Sequence, residues 1–211
     1  FFFLIFMRLN LAYLPALDFR PYKVGTNIAE AMSIPEGAEP DKYDIRFIYE
    51  KDGVQQEFTL NDYPANDTTW KFIDQKSVLI SRGYMPPIHD FTLINSEGVD
   101  MTEHIIRYEG DVVLMVARRL EKSNRDGLMK GFKAGMELQK QGKEFYIVTA
   151  TVPAEAEPLV KGFNTLYADE ITLKTVIRSD PGFLLLHNGT IAAKWSYHSL
   201  PDPEEFRGDL N

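Results

Sequence analysis

The chemistry open to this sequence is limited first by a residue type that it lacks. Among its 211 residues there is no cysteine. Cysteine thiolates are the nucleophiles of thiol–disulfide exchange and common ligands of zinc and iron–sulfur clusters. The sequence therefore excludes a disulfide, a cysteine nucleophile and a cysteine-ligated metal from this chain.

The histidines do not form a metal-binding or catalytic motif. They lie at four separated positions, His89, His104, His187 and His198. No two of them have the helical i, i+4 spacing of an His-Glu-x-x-His zinc site. The sequence also has no glycine-rich phosphate loop, no G-x-S-x-G turn and no EF-hand ligand series. We therefore expect no metal, no cofactor and no catalytic residue in this chain.

One pair of cationic side chains is a candidate for ligand binding. Arg118 and Arg119 follow an apolar run in a protein whose net charge is −8. Adjacent guanidinium groups can bind a carboxylate or a phosphate through paired hydrogen bonds. The alternative is that both are neutralised in place, because Glu121 and Asp126 are close in sequence.

The elements that must position these residues begin after Pro86-Pro87. From there, strand and helix patterns alternate, which is typical of an α/β sheet that contains parallel strands. Continuous apolar runs predict strands that are buried on both faces, and Asn-Gly is the most favoured two-residue hairpin turn. The predicted elements are strands 112–117 and 145–150, helices 124–141, 155–163 and 171–177, and a hairpin of strands 183–187 and 191–195.

A smaller antiparallel β unit is predicted at residues 42–85. Asp52-Gly53 lies between two strand-like runs, which is a strong hairpin signal. The predicted strands are 43–49, 54–60, 69–73 and 77–81. The aromatic residues of this stretch are expected to form a core, and a platform for carbohydrate is the alternative.

Three glycines share one face of the predicted long helix. Gly127, Gly131 and Gly135 are four residues apart and so lie on the same side of the helix. In a helix interior, each glycine lowers helix stability by about 1 kcal/mol relative to alanine. Lys130 and Lys133 between them argue against a membrane helix. The stripe predicts close packing against the sheet, and a groove for a partner is the alternative.

Residues 1–41 are predicted to be a membrane-proximal segment and linker. The apolar run before Arg8 is much shorter than the roughly 20 residues that cross a bilayer, and no basic region precedes it as in a signal peptide. It predicts either the last turns of a membrane helix that begins earlier in the polypeptide or an amphipathic helix docked on the domain. Residues 18–41 are rich in proline and glycine, as linkers are.

The charge balance excludes one class of partner. Lysine and arginine number 23 against 31 aspartates and glutamates. Because a nucleic-acid binder needs a basic surface to neutralise phosphates, we expect no nucleic-acid partner.

The order of elements after residue 86 resembles that of thioredoxin-like proteins. Pro181–Leu186, followed by Asn188-Gly189-Thr190 and Lys194-Trp195, is similar to the end of that fold. Pro86–Leu93 is similar to the first segment of peroxiredoxins and thiol-disulfide oxidoreductases. The resemblance implies an α/β fold at 86–205, a thioredoxin-like mixed sheet flanked by helices, preceded by the small antiparallel β unit.

This resemblance also implies where a site would lie. In thioredoxin-like proteins the reactive cysteine follows the first buried strand, at the N-terminus of the next helix, where the helix dipole stabilises the thiolate. The matching stretch, Ala117–Asn124, has no cysteine, and the Ser123 hydroxyl is not ionised without a base. Thiol redox chemistry by this domain is therefore excluded.

Pro181 resembles the cis-proline that borders that active site and offers backbone groups to a bound peptide. The alternative is an ordinary trans proline at the start of a strand. A cis-proline without a cysteine can still bind a peptide. The candidate partner-binding residues are therefore Arg118, Arg119, Ser123, Asp180 and Pro181.

A second resemblance extends over most of the chain. Asp18–Ile28, Gly83–Phe91 and Thr172–Arg178 are similar to segments of bacterial DoxX-like (MauE-like) membrane proteins that carry a C-terminal thioredoxin-like domain. This resemblance implies an inner-membrane anchor and a domain on the periplasmic side.

The two resemblances together imply a function. We expect a non-catalytic, membrane-tethered accessory domain that binds a protein or peptide partner, or the protein's own membrane segment, next to a membrane-embedded redox unit. One alternative is the substrate-presenting part of a DoxX-like thiol/quinone oxidoreductase whose chemistry lies in the membrane segment. Another is a purely structural domain, because a fold alone does not imply a function.

Overall fold

The computed structural model describes Leu14 and residues 18–206. These residues divide into two compact units, one formed by the residues up to Ser33 together with those from Pro87 onwards, the other by Ile34–Pro86. The prediction for the apolar run at the N-terminus lies outside the described residues. Within the described part of the chain, no helix is both long and apolar enough to cross a membrane.

Nine strands and five α-helices are present in the described residues. In chain order the elements are α1 (Ile28–Met32), β1 (Lys42–Lys51), β2 (Val54–Thr59), β3 (Lys71–Ser81), β4 (Ile94–Asn95), α2 (Thr102–Ile106), β5 (Asp111–Val116), α3 (Arg125–Lys140), β6 (Glu144–Thr149), α4 (Pro153–Ala156), β7 (Asn164–Tyr167), α5 (Glu170–Val176), β8 (Gly182–His187), β9 (Thr190–Ser196) and a 3-10 helix at Pro203–Glu205.

The larger unit is built on a six-stranded mixed sheet with the strand order β4-β7-β6-β5-β8-β9. Strands β5, β6 and β7 are parallel, whereas β8 and β9 form an antiparallel hairpin beside β5. The peptide bond between Asp180 and Pro181, just before β8, is cis. This order and the cis-proline confirm the predicted thioredoxin-like fold.

Strand β5 is buried on both faces because its side chains enter two separate cores. Val112, Leu114 and Val116 pack in one hydrophobic cluster with residues of α2 and α5. Val113 and Met115 pack in the other cluster with residues of α3 and β6. A strand that lies between two helix layers needs apolar residues at every position. This is why the run VVLMVA shows no alternation of apolar and polar residues.

The glycine stripe of α3 packs directly on the sheet. A Cβ atom at Gly127 would lie 2.8 Å from Pro181 Cδ, and one at Gly131 would lie 2.9 Å from Phe183 Cζ. At Gly135 the ring of Phe145 occupies the same space. The prediction of close packing is therefore confirmed, and this face is not a groove for a partner.

Within the larger unit, residues 18–33 pack along the β9 edge of the six-stranded sheet. Gly25 N donates to Ile191 O at 2.8 Å, and Ile191 N donates to Thr26 O at 2.9 Å. Tyr22 and Ile28 are fully buried in the core. The proline- and glycine-rich composition that indicates a linker thus belongs, in this part, to a segment that closes the core.

A buried ion pair joins this segment to β9. Lys194, whose side chain is 4% exposed, donates to Asp18 Oδ2 at 3.0 Å and to Tyr22 O at 2.7 Å. Arg20 adds two hydrogen bonds to the same carboxylate, at 2.7 and 2.8 Å. Burial alone would raise the pKa of Asp18, but the hydrogen bonds from Arg20 and Lys194 outweigh it and hold that pKa well below its usual range.

Several elements differ from the prediction. Residues 71–81 form one strand with register shifts rather than two short ones, and α4 ends at Ala156 instead of continuing to residue 163. Strands β4 and β7 and helices α1 and α2 are not predicted from the sequence. Elements of two to five residues are too short to show the periodic spacing of apolar residues that identifies a strand or a helix.

The smaller unit is a three-stranded antiparallel sheet of order β2-β1-β3. All of residues 34–86 are described, and none of them is buried. The predicted aromatic core is therefore wrong, because a single layer of three strands encloses no interior.

The Asp18 ion pair predicts a pH-dependent loss of stability. Asp18→Asn leaves the buried ammonium of Lys194 without its counter-charge, and we expect a loss of about 3 kcal/mol at pH 7, the lower end for a broken buried pair. Because the folded pKa of Asp18 lies below the unfolded value of about 3.9, its contribution is present above that value and is lost as the pH falls through the folded pKa.

Urea unfolding at a series of pH values measures this effect. The difference between wild type and Asp18→Asn should be constant above about pH 5 and shrink below about pH 4. Glu57→Gln, which removes one partner of an exposed ion pair with Lys76, is the control and should have little effect at any pH. An equal Asp18→Asn loss at pH 3 and pH 7 would show that the charge of Asp18 does not matter.

Candidate functional site

The register of two neighbouring strands brings the predicted site residues together. Strands β5 and β8 are antiparallel, and Val116 at the end of β5 pairs with Gly182 at the start of β8. The loop that follows β5, residues 117–124, therefore meets the loop that carries Asp180 and cis-Pro181. All five candidate residues lie in these two loops.

The carboxylate of Asp180 is the acceptor that joins the two loops. Its Oδ1 accepts from Arg118 N at 3.1 Å and from Ser123 Oγ at 2.6 Å, and its Oδ2 accepts from Arg118 Nε at 3.1 Å. The backbone oxygen of Asp180 accepts from Asn124 N at 3.0 Å. The side chain of Asp180 is 17% exposed, so these bonds are shielded from water.

Helix α3 begins directly behind this network. Asn124 is its N-cap, and Asn124 Oδ1 accepts from Gly127 N at 2.9 Å. Gly127 also lies against Pro181, so the first turn of α3 contacts the cis-proline. This is the place where a thioredoxin-like protein would hold its reactive thiolate, and here it is formed by a serine, an asparagine and an aspartate.

The other side of the loop is fixed to the end of β6. Ala150 N donates to Arg118 O at 2.9 Å, and Leu120 N donates to Thr151 Oγ1 at 2.9 Å. Thr149 and Thr151 are both buried. Sequence reasoning did not single out these threonines, although two threonines at the end of an apolar strand are the type of side chain that can bind a neighbouring loop.

Arg119 points away from Asp180 and pairs with α5. Its Nε donates to Glu170 Oε2 at 2.8 Å, and Glu170 also pairs with Lys174 at 3.2 Å. The hydrogen bond from Arg119 lowers the pKa of Glu170. Both arginines are thus neutralised in place, mainly by Asp180 and Glu170 rather than by the carboxylates that are near in sequence.

Arg118 keeps part of its guanidinium group available. Its contacts with Asp180 use the backbone N and Nε, and within residues 18–206 no hydrogen bond is found for Nη1 or Nη2. The side chain is 28% exposed. Among the contacts of the described residues, Nη1 and Nη2 therefore keep hydrogen-bond capacity beyond the Asp180 pair.

The Ser123 hydroxyl has a carboxylate acceptor beside it, a contact that the sequence did not reveal. This hydroxyl lies within hydrogen-bond distance of Asp180 Oδ1 and of Arg119 O. A serine oxygen still cannot form a disulfide, so this contact positions the loop and supplies no redox chemistry. Among the described residues, no three histidine, aspartate or glutamate side chains are grouped closely enough to hold a metal ion.

Comparison with protein families gives a match over the smaller unit. The model of the Domain of unknown function (DUF8463) matches residues 43–82, which cover the three-stranded sheet. This is less than half of the chain, so it does not assign the whole protein to that family. Comparison with curated protein sequences gives no match.

Solved structures resemble about half of the chain. Yeast Sco1 is 16% identical, with a TM-score of 0.38 over 51% of this chain and 81% of Sco1. Copper-bound ScoI of Arabidopsis thaliana is 15% identical, with a TM-score of 0.38 over 55% of this chain and 89% of ScoI. A hypothetical protein from Sinorhizobium meliloti 1021 is 15% identical, with a TM-score of 0.35 over 50% and 66% of the two chains. The fold assignment rests on the strand order and the cis-proline described above.

Removal of the Asp180 carboxylate should loosen the site and lower stability. Asp180→Ala removes the carboxylate that accepts hydrogen bonds from Arg118 N, Arg118 Nε and Ser123 Oγ. We therefore expect the free energy of unfolding to fall by about 2–3 kcal/mol. Urea unfolding measures it. Arg119→Ala, which breaks the half-exposed pairs with Glu170 and Glu121, is the matched control and should cost at most about 1 kcal/mol. Equal losses in the two variants would show that Asp180 is not the organising residue.

Proposed function

We propose that the larger unit is a non-catalytic accessory domain that binds an extended protein segment at the surface formed by residues 117–124 and the Asp180-Pro181 loop. The observation that carries this proposal is the Asp180 network, which holds both loops of a thioredoxin-like site in place without a thiol. The fold is retained, and the residue that performs its redox chemistry is not present anywhere in the chain.

Rigidity of the site supports binding. The 117–124 loop is bonded to the end of β6 on one side and to Asp180 on the other. A surface that is already ordered loses little conformational entropy when a partner binds. The partner's peptide would lie beside cis-Pro181, and one of its carboxylates would bind the free Nη groups of Arg118.

Metal transfer is not proposed for this site. One of the similar solved structures has copper bound, but thiolate and thioether groups are the ligands that select Cu(I). This chain has no cysteine, and its candidate site contains arginine, serine and aspartate instead.

We propose that the domain acts next to a membrane. The resemblance of Asp18–Ile28, Gly83–Phe91 and Thr172–Arg178 to DoxX-like proteins supports an inner-membrane anchor and a periplasmic domain beside a membrane-embedded redox unit. Such a unit would reside in the protein's own membrane segment or in a neighbouring protein. The accessory domain would then position a protein substrate or subunit at that unit.

Site-specific photo-crosslinking in the full-length protein, in its native membrane, tests this function. A photo-crosslinking residue at Lys122, which is exposed in the candidate loop, should capture one reproducible partner that mass spectrometry identifies. The same residue at Lys140 is the control, because Lys140 lies at the far end of α3, about 22 Å by helix rise from the first residue of that helix, Arg125.

The pattern of capture decides the outcome. Capture at position 122 but not at 140, weakened several-fold by Arg118→Glu, supports the proposal, whether the partner is a separate protein or the protein's own membrane segment. Equal capture at both positions, no reproducible capture, or capture that Arg118→Glu leaves unchanged contradicts it.

A further inference from the structure

The smaller unit has a sheet but no covered face. Strand β3 is exposed over its whole length, and no residue from 34 to 86 is buried. A two-stranded hairpin alone is marginally stable in water, and independent stability needs three or more strands with a hydrophobic face or packing against a helix. The composition of the two faces shows which face that is.

The two faces of this sheet differ in chemistry. On one face, exposed ion pairs link Arg46 to Asp44 at 2.9 Å and Lys76 to Glu57 at 2.8 Å. Alternate residues of β1 and their cross-strand partners form the other face. We call it the aromatic face, and its aromatic and large aliphatic residues are Tyr43, Ile45, Phe47, Tyr49, Phe58, Tyr63, Trp70, Phe72 and Leu79. The same register also places Lys51, Gln56, Gln75 and Ser77 on this face.

The rings of the aromatic face meet edge to face rather than lying flat. Tyr49 packs on Phe58 and on Phe72 with centroid distances of 5.8 and 5.6 Å and interplanar angles of 82° and 75°. Phe58 and Trp70 are 5.1 Å apart at 83°. A sugar ring stacks on a flat platform, whereas tilted rings leave ridges and gaps that other side chains can fill. The arrangement therefore favours a protein surface over carbohydrate.

We propose that the aromatic face packs against the same face of a second copy of this chain, so that two three-stranded sheets form a two-layered β-sandwich. Stacked sheets pack about 10 Å apart with interdigitating side chains. Such a dimer would give each sheet the core that it lacks within one chain.

The size of the face suits a weak dimer. Its strands have 10, 6 and 11 residues, which at about 3.4 Å per residue and about 4.8 Å between strands give a face of about 440 Å². Two such faces bury about 900 Å², in the range of weak, transient interfaces below about 1,200 Å².

Charge allows two copies to meet at this face. The chain has a net charge of −8, so its copies repel one another over most surfaces. The strand residues of the aromatic face include no carboxylate and one cation, Lys51, whose Nζ lies 5.8 Å from the centroid of the Trp70 ring. At one edge of the face, the Asp41 carboxylate accepts a hydrogen bond from the Tyr43 hydroxyl at 3.1 Å. Contact through the strand residues of this face therefore brings no pair of carboxylates together.

Analytical ultracentrifugation of the chain with two matched variants tests the dimer. Phe72 and Val78 lie on the same strand, on opposite faces, and are 55% and 58% exposed. Phe72→Glu should weaken dimerisation at least about tenfold, because it places a carboxylate in the apolar interface. Val78→Glu should leave the dimer unchanged. Leu79→Glu, also on the aromatic face, should repeat the effect of Phe72→Glu if that variant folds poorly.

Three results would overturn the proposal. One is a chain that stays monomeric up to about 0.5 mM, a concentration at which a dimer with a Kd of about 0.1 mM or tighter would be largely formed. Another is a dimer that Phe72→Glu and Val78→Glu weaken equally or not at all. The third is a monomer that binds phosphatidylcholine and phosphatidylglycerol vesicles in a manner abolished by Phe72→Glu, which would assign the face to a membrane.

Discussion

The arrangement of the candidate site depends on one carboxylate. Asp180 accepts hydrogen bonds from Arg118 N, Arg118 Nε and Ser123 Oγ, and so fixes the loop after β5 against the loop that carries cis-Pro181. A buried or half-buried carboxylate needs such donors, because an unpaired charge there would be strongly unfavourable. The arginine and serine satisfy it, and the carboxylate in turn holds the first turn of α3 at the cis-proline.

This arrangement separates the scaffold of the thioredoxin-like fold from its chemistry. The strand order, the crossover helix and the cis-proline are all present. At the N-terminus of α3, where the helix dipole would stabilise a thiolate, the chain has Ser123 and the N-cap Asn124. Polar side chains at that position fix the two loops to each other, and no thiolate is present for the helix dipole to stabilise.

Elements with strong local signals were predictable from the sequence. The local sequence pattern predicts both strand β5, from its apolar run, and the Asn188-Gly189 hairpin. The cis-proline is predicted by the resemblance to thioredoxin-like proteins. The burial of Tyr22 could not be predicted, since its segment shows no period and bonds to a strand more than 160 residues away. The same is true of the pairing of Arg119 with Glu170, which depends on tertiary contacts between distant elements.

Amide hydrogen exchange at the site tests the central claim, that Asp180 holds both loops as a rigid surface. The amides of Arg118 and Asn124 donate to the side chain and the backbone oxygen of Asp180. We expect both to exchange only when the domain unfolds, with an opening free energy within about 1 kcal/mol of that of Leu114 in the centre of β5. Exchange of either amide through local opening, at a free energy several kcal/mol lower, would contradict the account.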